Sequence, residues 1–216
     1  MCSNRRTVAG VTIELQTSLF DAAVPTLTAL APTRTQLAHG AWVDHQPGWV
    51  EGSDQLFLDL VDSVPWRAER RQMYERVVDV PRLLSFYAEA DDLPHPILAE
   101  ARDRLSRHYA PELGEAFTTA GLCYYRDGRD SVAWHGDRIG RSHTEDTMVA
   151  IVSIGEPRRL LLRPNHGGHS LGFALGHGDL LVMGGSCQRT WEHAVPKTAR
   201  PVGPRISIQY RPRGVR

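Results

Sequence analysis

Lysine is almost missing from this chain. Of 25 basic residues only Lys197 is a lysine, and the others are arginine. Either genome base composition or a preference for the forked contacts of guanidinium with carboxylates and phosphates produces such a bias. Cysteine is scarce as well. Cys2, Cys123 and Cys187 show no paired spacing, which argues against a disulfide scaffold and fits a reducing, cytoplasmic compartment. No apolar run approaches the roughly 18 residues that a membrane-spanning helix needs. Arg5 and Arg6 are not followed by an apolar stretch, so no signal peptide is expected. Net charge is absent too: 25 basic and 25 acidic residues cancel, and no global basic field announces a nucleic-acid binder. Repeats, low-complexity segments and heptads are also lacking, which makes a monomer the expectation.

What is present is an ordinary globular composition, 41% hydrophobic and 23% charged. At 216 residues the chain reads as a single domain, 1–216. It divides by character near residue 118. Residues 1–118 read as N-terminal helices and outer strands, and 119–216 as a β core. Val11–Leu15 alternates like a strand. Residues 19–38, around Pro25 and Pro32, suggest a short helix and a loop. Ala41–Asp44 and Trp49–Glu51 read as strand pieces around the Pro47-Gly48 turn. Ser53 is a candidate N-cap for a helix through Asp62, with Leu56, Leu60 and Val64 at helical spacing and Pro65 closing it. Pro96 suits the first turn of a second helix that aligns Ile97, Ala101 and Leu105. From Thr119 onward, short apolar runs alternate with Gly and Pro turns about every ten residues: Leu122–Arg126, Met148–Ile154, Leu160–Leu162, Ser170–Leu175, Leu180–Met183 and Ile206–Tyr210. That rhythm predicts a β-sandwich or jelly roll.

The chemistry-bearing residues fall at the ends of these runs. In Trp134-His135-Gly136-Asp137 the imidazole and the carboxylate alternate, so an extended backbone turns both to one side. His193 supplies a second, distant imidazole. Two His and one carboxylate form the facial triad that holds non-haem Fe(II) and leaves positions open for a bidentate 2-oxo acid and O2. A zinc hydrolase could use the same ligands, but it would not account for Arg205 and Arg211. In Arg205–Arg211 the residues Arg, Ser, Gln and Arg share one strand face. Two inward arginines need anions, and a dicarboxylate such as 2-oxoglutarate would supply them; the alternative is a solvent-exposed edge strand. Of the other histidines, His39, His45, His95 and His108 lack ligand spacing, His166 and His169 lie in a Gly-rich turn, and His177 reads as a turn residue. His143 is the nearest to the triad motif.

The stretch from about Leu122 to Arg211 resembles the AlkB family of Fe(II)/2-oxoglutarate-dependent dioxygenases. The matching pieces are Tyr125-Arg126-Asp127-Gly128, His135-Gly136-Asp137, Ile151–Gly155, Leu175–Met183, His193 and the Arg205-x-Ser207-x-Gln209-Tyr210-Arg211 signature, in order and at the right spacing. The resemblance implies an α+β protein with a mainly β core, a double-stranded β-helix (jelly roll), with supporting N-terminal helices and a nucleotide-recognition lid. It implies His135, Asp137 and His193 as iron ligands, and a 2-oxoglutarate site formed by Tyr125, Arg205, Ser207, Arg211 and Cys123. The implied reaction is oxidative demethylation of N-alkylated bases in DNA or RNA, of the 1-methyladenine or 3-methylcytosine type, consuming O2 and 2-oxoglutarate and releasing formaldehyde, succinate and CO2. Three positions depart from the family pattern. Cys123 and Ser207 stand where Asn is frequent, and Arg138-Ile139-Gly140 follow the iron Asp where acidic residues are frequent. Cys123 implies a lost or replaced co-substrate hydrogen bond and a thiol open to oxidation, and Arg138-Ile139-Gly140 bear on substrate choice more than on the chemistry.

For the substrate, the segment Trp66–Arg76 mixes arginines with aromatics, a blend suited to phosphates and stacked bases. The alternative is a solvated helix with Met73 and Tyr74 in the core. Met73, Tyr74, Arg82, Tyr87 and Arg138 are the candidate substrate contacts. Single-stranded nucleic acid is the expected partner, because unstacking a base costs about a few kcal/mol and least in single strands. A basic, aromatic groove formed by Arg67, Arg71, Tyr74 and Arg82 would favour nucleic acid. An acidic or closed apolar pocket would favour the same iron chemistry on a protein side chain or metabolite. A non-catalytic binding module of the same fold should have lost a ligand, and none is lost.

Overall fold

Strand formation follows the alternation seen in sequence, and the helices cover one face of the result. The computed structural model describes residues 4–8, 11–15, 24–73 and 76–215, with side chains described for 24–70 and 80–215. Asn4–Val8 (β1) and Val11–Leu15 (β2) pair antiparallel. Thr26–Leu27 (β3), Thr33–Gln36 (β4), Ala41–Gln46 (β5) and Val50–Glu51 (β6) follow. The helix expected within 19–38 is not found among described residues 24–38. Pro25 and Pro32 break the stretch, and β4 instead extends the sheet edge, Thr33 opposite His45, with Arg34 donating to Asp44 at 2.7 Å.

The first helix, Ser53–Ser63 (α1), begins one residue off expectation. Gly52, with φ of 65°, occupies the cap position. The Ser53 hydroxyl donates back to the Val50 carbonyl at 2.6 Å instead of capping. Arg67–Met73 (β7) and Arg76–Tyr87 (β8) form an antiparallel hairpin, so the basic segment is a strand and not a solvated helix. In Pro96–Leu113 (α2) Pro96 sits in the first turn, His95 Nδ1 accepts from the Ile97 N–H at 3.2 Å, and Gly114 ends the helix in the left-handed region. The remaining elements are Phe117–Tyr125 (β9), Val132–His135 (β10), Val149–Gly155 (β11), Arg158–Pro164 (β12), Leu171–Leu175 (β13), Asp179–Gly185 (β14), Cys187–Thr190 (α3), Trp191–Val195 (β15) and Arg205–Pro212 (β16).

Eight strands form the major sheet in the order β4-β5-β14-β11-β16-β9-β8-β7, and four form the minor sheet, β10-β15-β12-β13. Their packing is a jelly-roll core. On the outside of the major sheet, α1 and α2 bury Leu56, Phe57, Leu60, Leu98 and Leu105 against Ile206, Ile208 and Tyr210. Each such aliphatic side chain contributes about 1.5–3 kcal/mol. Between the sheets a second cluster joins Val43, Ile151, Leu181 and Met183 to Leu160, Leu162, Leu175 and Val195. On the helix-covered face Gly184 is obligatory, since a Cβ there would lie 2.2 Å from the Trp42 ring. The inner cluster does not fill the space between the sheets, and the cavity left over is the site.

Candidate active site

Pairing of β10 with β15 sets His135 directly opposite His193, and the ring centroids are 4.2 Å apart. Asp137 lies two residues further on, in the loop leaving β10. One ligand atom from each of His135, Asp137 and His193 lies within 4.8 Å of the others. The Ala133 carbonyl, 2.9 Å from His135 Nδ1, can only accept. Nδ1 therefore carries a proton, and Nε2 is the nitrogen that faces Asp137 Oδ1, 3.7 Å away.

Electrostatics set the protonation that a cation requires. Burial by itself would raise the Asp137 pKa. The Arg211 charge, the two imidazoles and the Arg211 hydrogen bond outweigh it and hold the carboxyl down at about 2. Arg211 Nε donates to Asp137 Oδ2 at 2.7 Å. Burial pushes His193 down to about 3, with the neighbouring His135 acting in the same direction. At neutral pH the cluster thus offers an anionic oxygen beside an uncharged His193 ring, a donor set that fits a divalent metal without prior loss of protons from either residue.

β16 supplies the opposite wall. Arg205, Ser207, Gln209 and Arg211 line a cavity of about 1000 Å³, together with Cys123 and Tyr125 of β9 and the three residues of the triad. Ile206, Ile208 and Tyr210, on the other face of the strand, enter the helix-covered core. Register puts Tyr125 opposite Arg205 and Cys123 opposite Ser207. Arg205 is 1% exposed. Its Nε donates to Ser153 Oγ at 2.8 Å, its guanidinium lies 5.3 Å from the centre of the Tyr125 ring, and its Nη1 has no partner among the described residues. Burial lowers its pKa. A buried guanidinium with an unsatisfied N–H is costly until an anion meets it, and a carboxylate is the group its fork matches. The solvent-exposed edge strand is thereby excluded: β16 is central, with β11 on one side and β9 on the other.

Residues 87–211 match the 2OG-Fe(II) oxygenase superfamily. The chain belongs to this superfamily. The cofactor and co-substrates of these oxygenases are Fe(II), 2-oxoglutarate and O2, and the triad and the buried arginine fit them. The curated proteins it is similar to include AlkB homologues. Human alpha-ketoglutarate-dependent dioxygenase alkB homolog 3 is 28% identical over 193 residues, covering 76% of this chain and 64% of that protein. DNA oxidative demethylase ALKBH2 of Arabidopsis thaliana is 26% identical over 231 residues, 84% of this chain and 70% of that one. The chain thus spans a little under two thirds of the alkB homolog 3 relatives. Two solved structures share the fold. One is that of OsALKBH1, with a TM-score of 0.55 at 14% identity, covering 82% of this chain and all of that one. The other is a 2OG-Fe(II) oxygenase family oxidoreductase from Burkholderia pseudomallei, with a TM-score of 0.51 at 16% identity, covering 73% of this chain and 76% of that one.

Within this oxygenase cavity the expected substrate contacts separate. Arg82 lines it and donates to the Ser131 carbonyl at 3.0 Å. Tyr87 does not reach it. Along β8, Arg82, Leu84 and Phe86 line the cavity, joined by Pro81 and Ser85, while Leu83 and Tyr87 pack into the helix-covered core; the aromatic at the mouth is Phe86, one residue earlier. Arg138 does not line it either. Its guanidinium turns toward Glu192, 3.6 Å away, and Ile139 lines the mouth instead. Tyr74 and the Met73 side chain lie outside the described residues, as does the Arg71 side chain. His143 is exposed on a short 3-10 turn and lines nothing in the cavity. His177 is a structural residue, accepting from the Gly155 N–H at 2.7 Å. Phe86, Ile139 and Trp134 were not anticipated. Alternation counted back from Tyr125's partner strand would have found Phe86, but the pairing of β8 with β9 is not visible in sequence.

Proposed function

We propose that the chain is an Fe(II)/2-oxoglutarate-dependent dioxygenase that removes N-methyl groups from alkylated bases of DNA or RNA. One observation carries the oxygenase reading: a single cavity holds both the His135/Asp137/His193 cluster and the buried Arg205 with its unsatisfied N–H. The names of the relatives, an alpha-ketoglutarate-dependent dioxygenase and a DNA oxidative demethylase, support the choice of substrate. The whole chain acts as one catalytic domain, residues 1–118 supplying cover and lid and 119–216 the core. It works as a cytoplasmic monomer on single strands, where a base is extruded at least cost.

His135, Asp137 and His193 hold the metal. Arg205 and Tyr125 receive the distal carboxylate of 2-oxoglutarate, with Ser207 and Cys123 beside them. Arg211 does two things: it keeps Asp137 ionised, and it places positive charge between the triad and the co-substrate. Bound there, Fe(II) with 2-oxoglutarate and O2 supplies the oxidising power that hydroxylates the methyl carbon, yielding succinate, CO2 and, once the hydroxymethyl product collapses, formaldehyde. The rim formed by Phe86, Ile139, Leu84 and Arg82 orients the extruded base and excludes water from the reacting carbon.

Purified protein is to be incubated with Fe(II), 2-oxoglutarate and a 1-methyladenine or 3-methylcytosine oligonucleotide, with succinate and oligonucleotide mass both followed. The reading expects succinate formation that depends on the oligonucleotide, loss of the methyl group, and loss of both with Asp137→Ala. Succinate without demethylation would transfer the chemistry to a substrate other than nucleic acid. No turnover and no metal binding would overturn the enzyme reading.

A further inference from the structure

We infer that Gln188 is a positioning residue for the metal-binding carboxylate, and that α3 forms the back wall of the metal centre. The inference rests on the reading that His135, Asp137 and His193 hold the iron. The two histidines are placed by paired strands, but Asp137 lies in a loop beyond the end of β10, where no ladder fixes the backbone.

Two side chains do that work instead. The Asp137 N–H donates to Gln188 Oε1 at 3.1 Å, and the Asp137 carbonyl accepts from the Ser142 hydroxyl in a close contact. The preceding residue is pressed against the same wall: a Cβ on Gly136 would lie 2.8 Å from the Gln188 carbonyl oxygen. The α3 turn is itself anchored. Ser186 Oγ donates to the His39 carbonyl at 2.6 Å, and Trp191 Nε1 donates to the Ala38 carbonyl at 3.2 Å. It then runs directly into β15, which carries His193. The segment 186–193 therefore fixes one ligand through its own strand and a second through Gln188.

The state of the amide separates positioning from mere filling. Gln188 is 1% exposed. Its oxygen must face Asp137, because only the oxygen accepts. Its Nε2 then has no partner among the described residues. A residue kept only to fill space would be apolar here, since an unsatisfied buried donor is unfavourable and a methionine of similar length avoids it. The bond to Asp137 is what the amide contributes.

The test is a Co(II) titration of the apo protein, read by visible absorption, beside thermal unfolding of the same apo samples. Gln188→Met removes the acceptor at nearly constant volume, and Gln188→Glu retains an acceptor. Loss of an outer-shell partner weakens metal binding by about 10–100-fold. Gln188→Met is therefore expected to lose at least about tenfold in Co(II) affinity and to alter the absorption band, while its apo unfolding midpoint stays near that of the wild type. Gln188→Glu is expected to bind as tightly as the wild type or more so. If Gln188→Met proves unstable, Gln188→Asn, which withdraws the oxygen by one methylene, is expected to show the same loss in a folded protein. Wild-type affinity in Gln188→Met, or a Gln188→Glu as weak as Gln188→Met, would overturn the inference. If the wild type binds no Co(II), or His193→Ala binds it equally well, the metal reading itself falls and this inference falls with it.

Discussion

At the scale of the residue, charge without a partner is the recurring theme. Arg205 is buried, holds Ser153 with its Nε, and leaves Nη1 unsatisfied. Arg205→Met should raise the KM for 2-oxoglutarate at least about tenfold, since truncating one partner of a buried charge pair costs about 2–5 kcal/mol. Arg205→Lys should not restore it, because a single ammonium cannot serve Ser153 and a carboxylate in the fork geometry. Asp179 is the opposite case, a carboxylate fully employed. It accepts from the Gly48 N–H at 2.9 Å and the Gly176 N–H at 2.7 Å, with His45 Nε2 at 3.5 Å. Burial alone would raise its pKa, but the nearby His45 ring and the Gly176 and Gly48 N–H bonds hold it below the ordinary value. A carboxyl whose folded pKa lies below its unfolded one stabilises the fold above the unfolded value, near pH 4, and loses that contribution as pH falls through the folded value. Asp179→Asn leaves one of the two amides without its acceptor and should cost about 1–3 kcal/mol near neutrality. Denaturant unfolding at several pH values should show the gap from wild type closing below about pH 4; a gap independent of pH would contradict the role of the charge.

At the scale of the element, the parity of a strand decides which side chains meet substrate. On β8, Phe86 is 53% exposed at the cavity mouth, whereas the Tyr87 hydroxyl is buried without a partner among the described residues. Phe86→Ala should lower kcat/KM for the oligonucleotide at least about fivefold, the lower end of about 1–3 kcal/mol per stacked base, and leave the KM for 2-oxoglutarate unchanged. Tyr87→Phe should leave activity unchanged and stability equal or slightly higher, because it removes an unsatisfied hydroxyl. If kinetics show the reverse pattern, β8 presents its other face to the substrate. The resemblance to AlkB-type enzymes was legible in sequence because its motifs are local and sit on a period-two β16. The partition of Phe86 from Tyr87 was not legible, because it depends on a register between strands 30 or more residues apart, such as Leu84 opposite Cys123.

At the scale of the whole molecule, the cavity lies between two sheets that the ligands must bridge, so binding and folding are linked. The triad belongs to the minor sheet and its loop, and Arg205 belongs to the major sheet. A metal and a 2-oxo acid held together would tie the sheets to one another. At about 100 times the Kd, a ligand adds about 2.7 kcal/mol of stability. In a chain of this length that shifts the unfolding midpoint by about 5–10 °C. Mn(II) with 2-oxoglutarate should raise the midpoint by more than either alone, and a chelator should return it to the apo value. A combined shift no larger than that of the better single ligand would mean that the two do not bind together.

The sequence by itself determined the donors. The His-x-Asp pair, the distant His193, and the alternating arginines of residues 205–211 carry their chemistry in residue type and in spacings of two, which the pleat of a strand turns into shared faces. Tertiary structure decided everything that depends on which strands are neighbours. It put the basic segment 67–73 into a strand at the sheet edge, turned Arg138 toward Glu192 and left Ile139 at the cavity mouth, and brought Gln188 behind Asp137 from 51 positions away. Those contacts arise from packing between segments distant in the chain, and no local pattern encodes them.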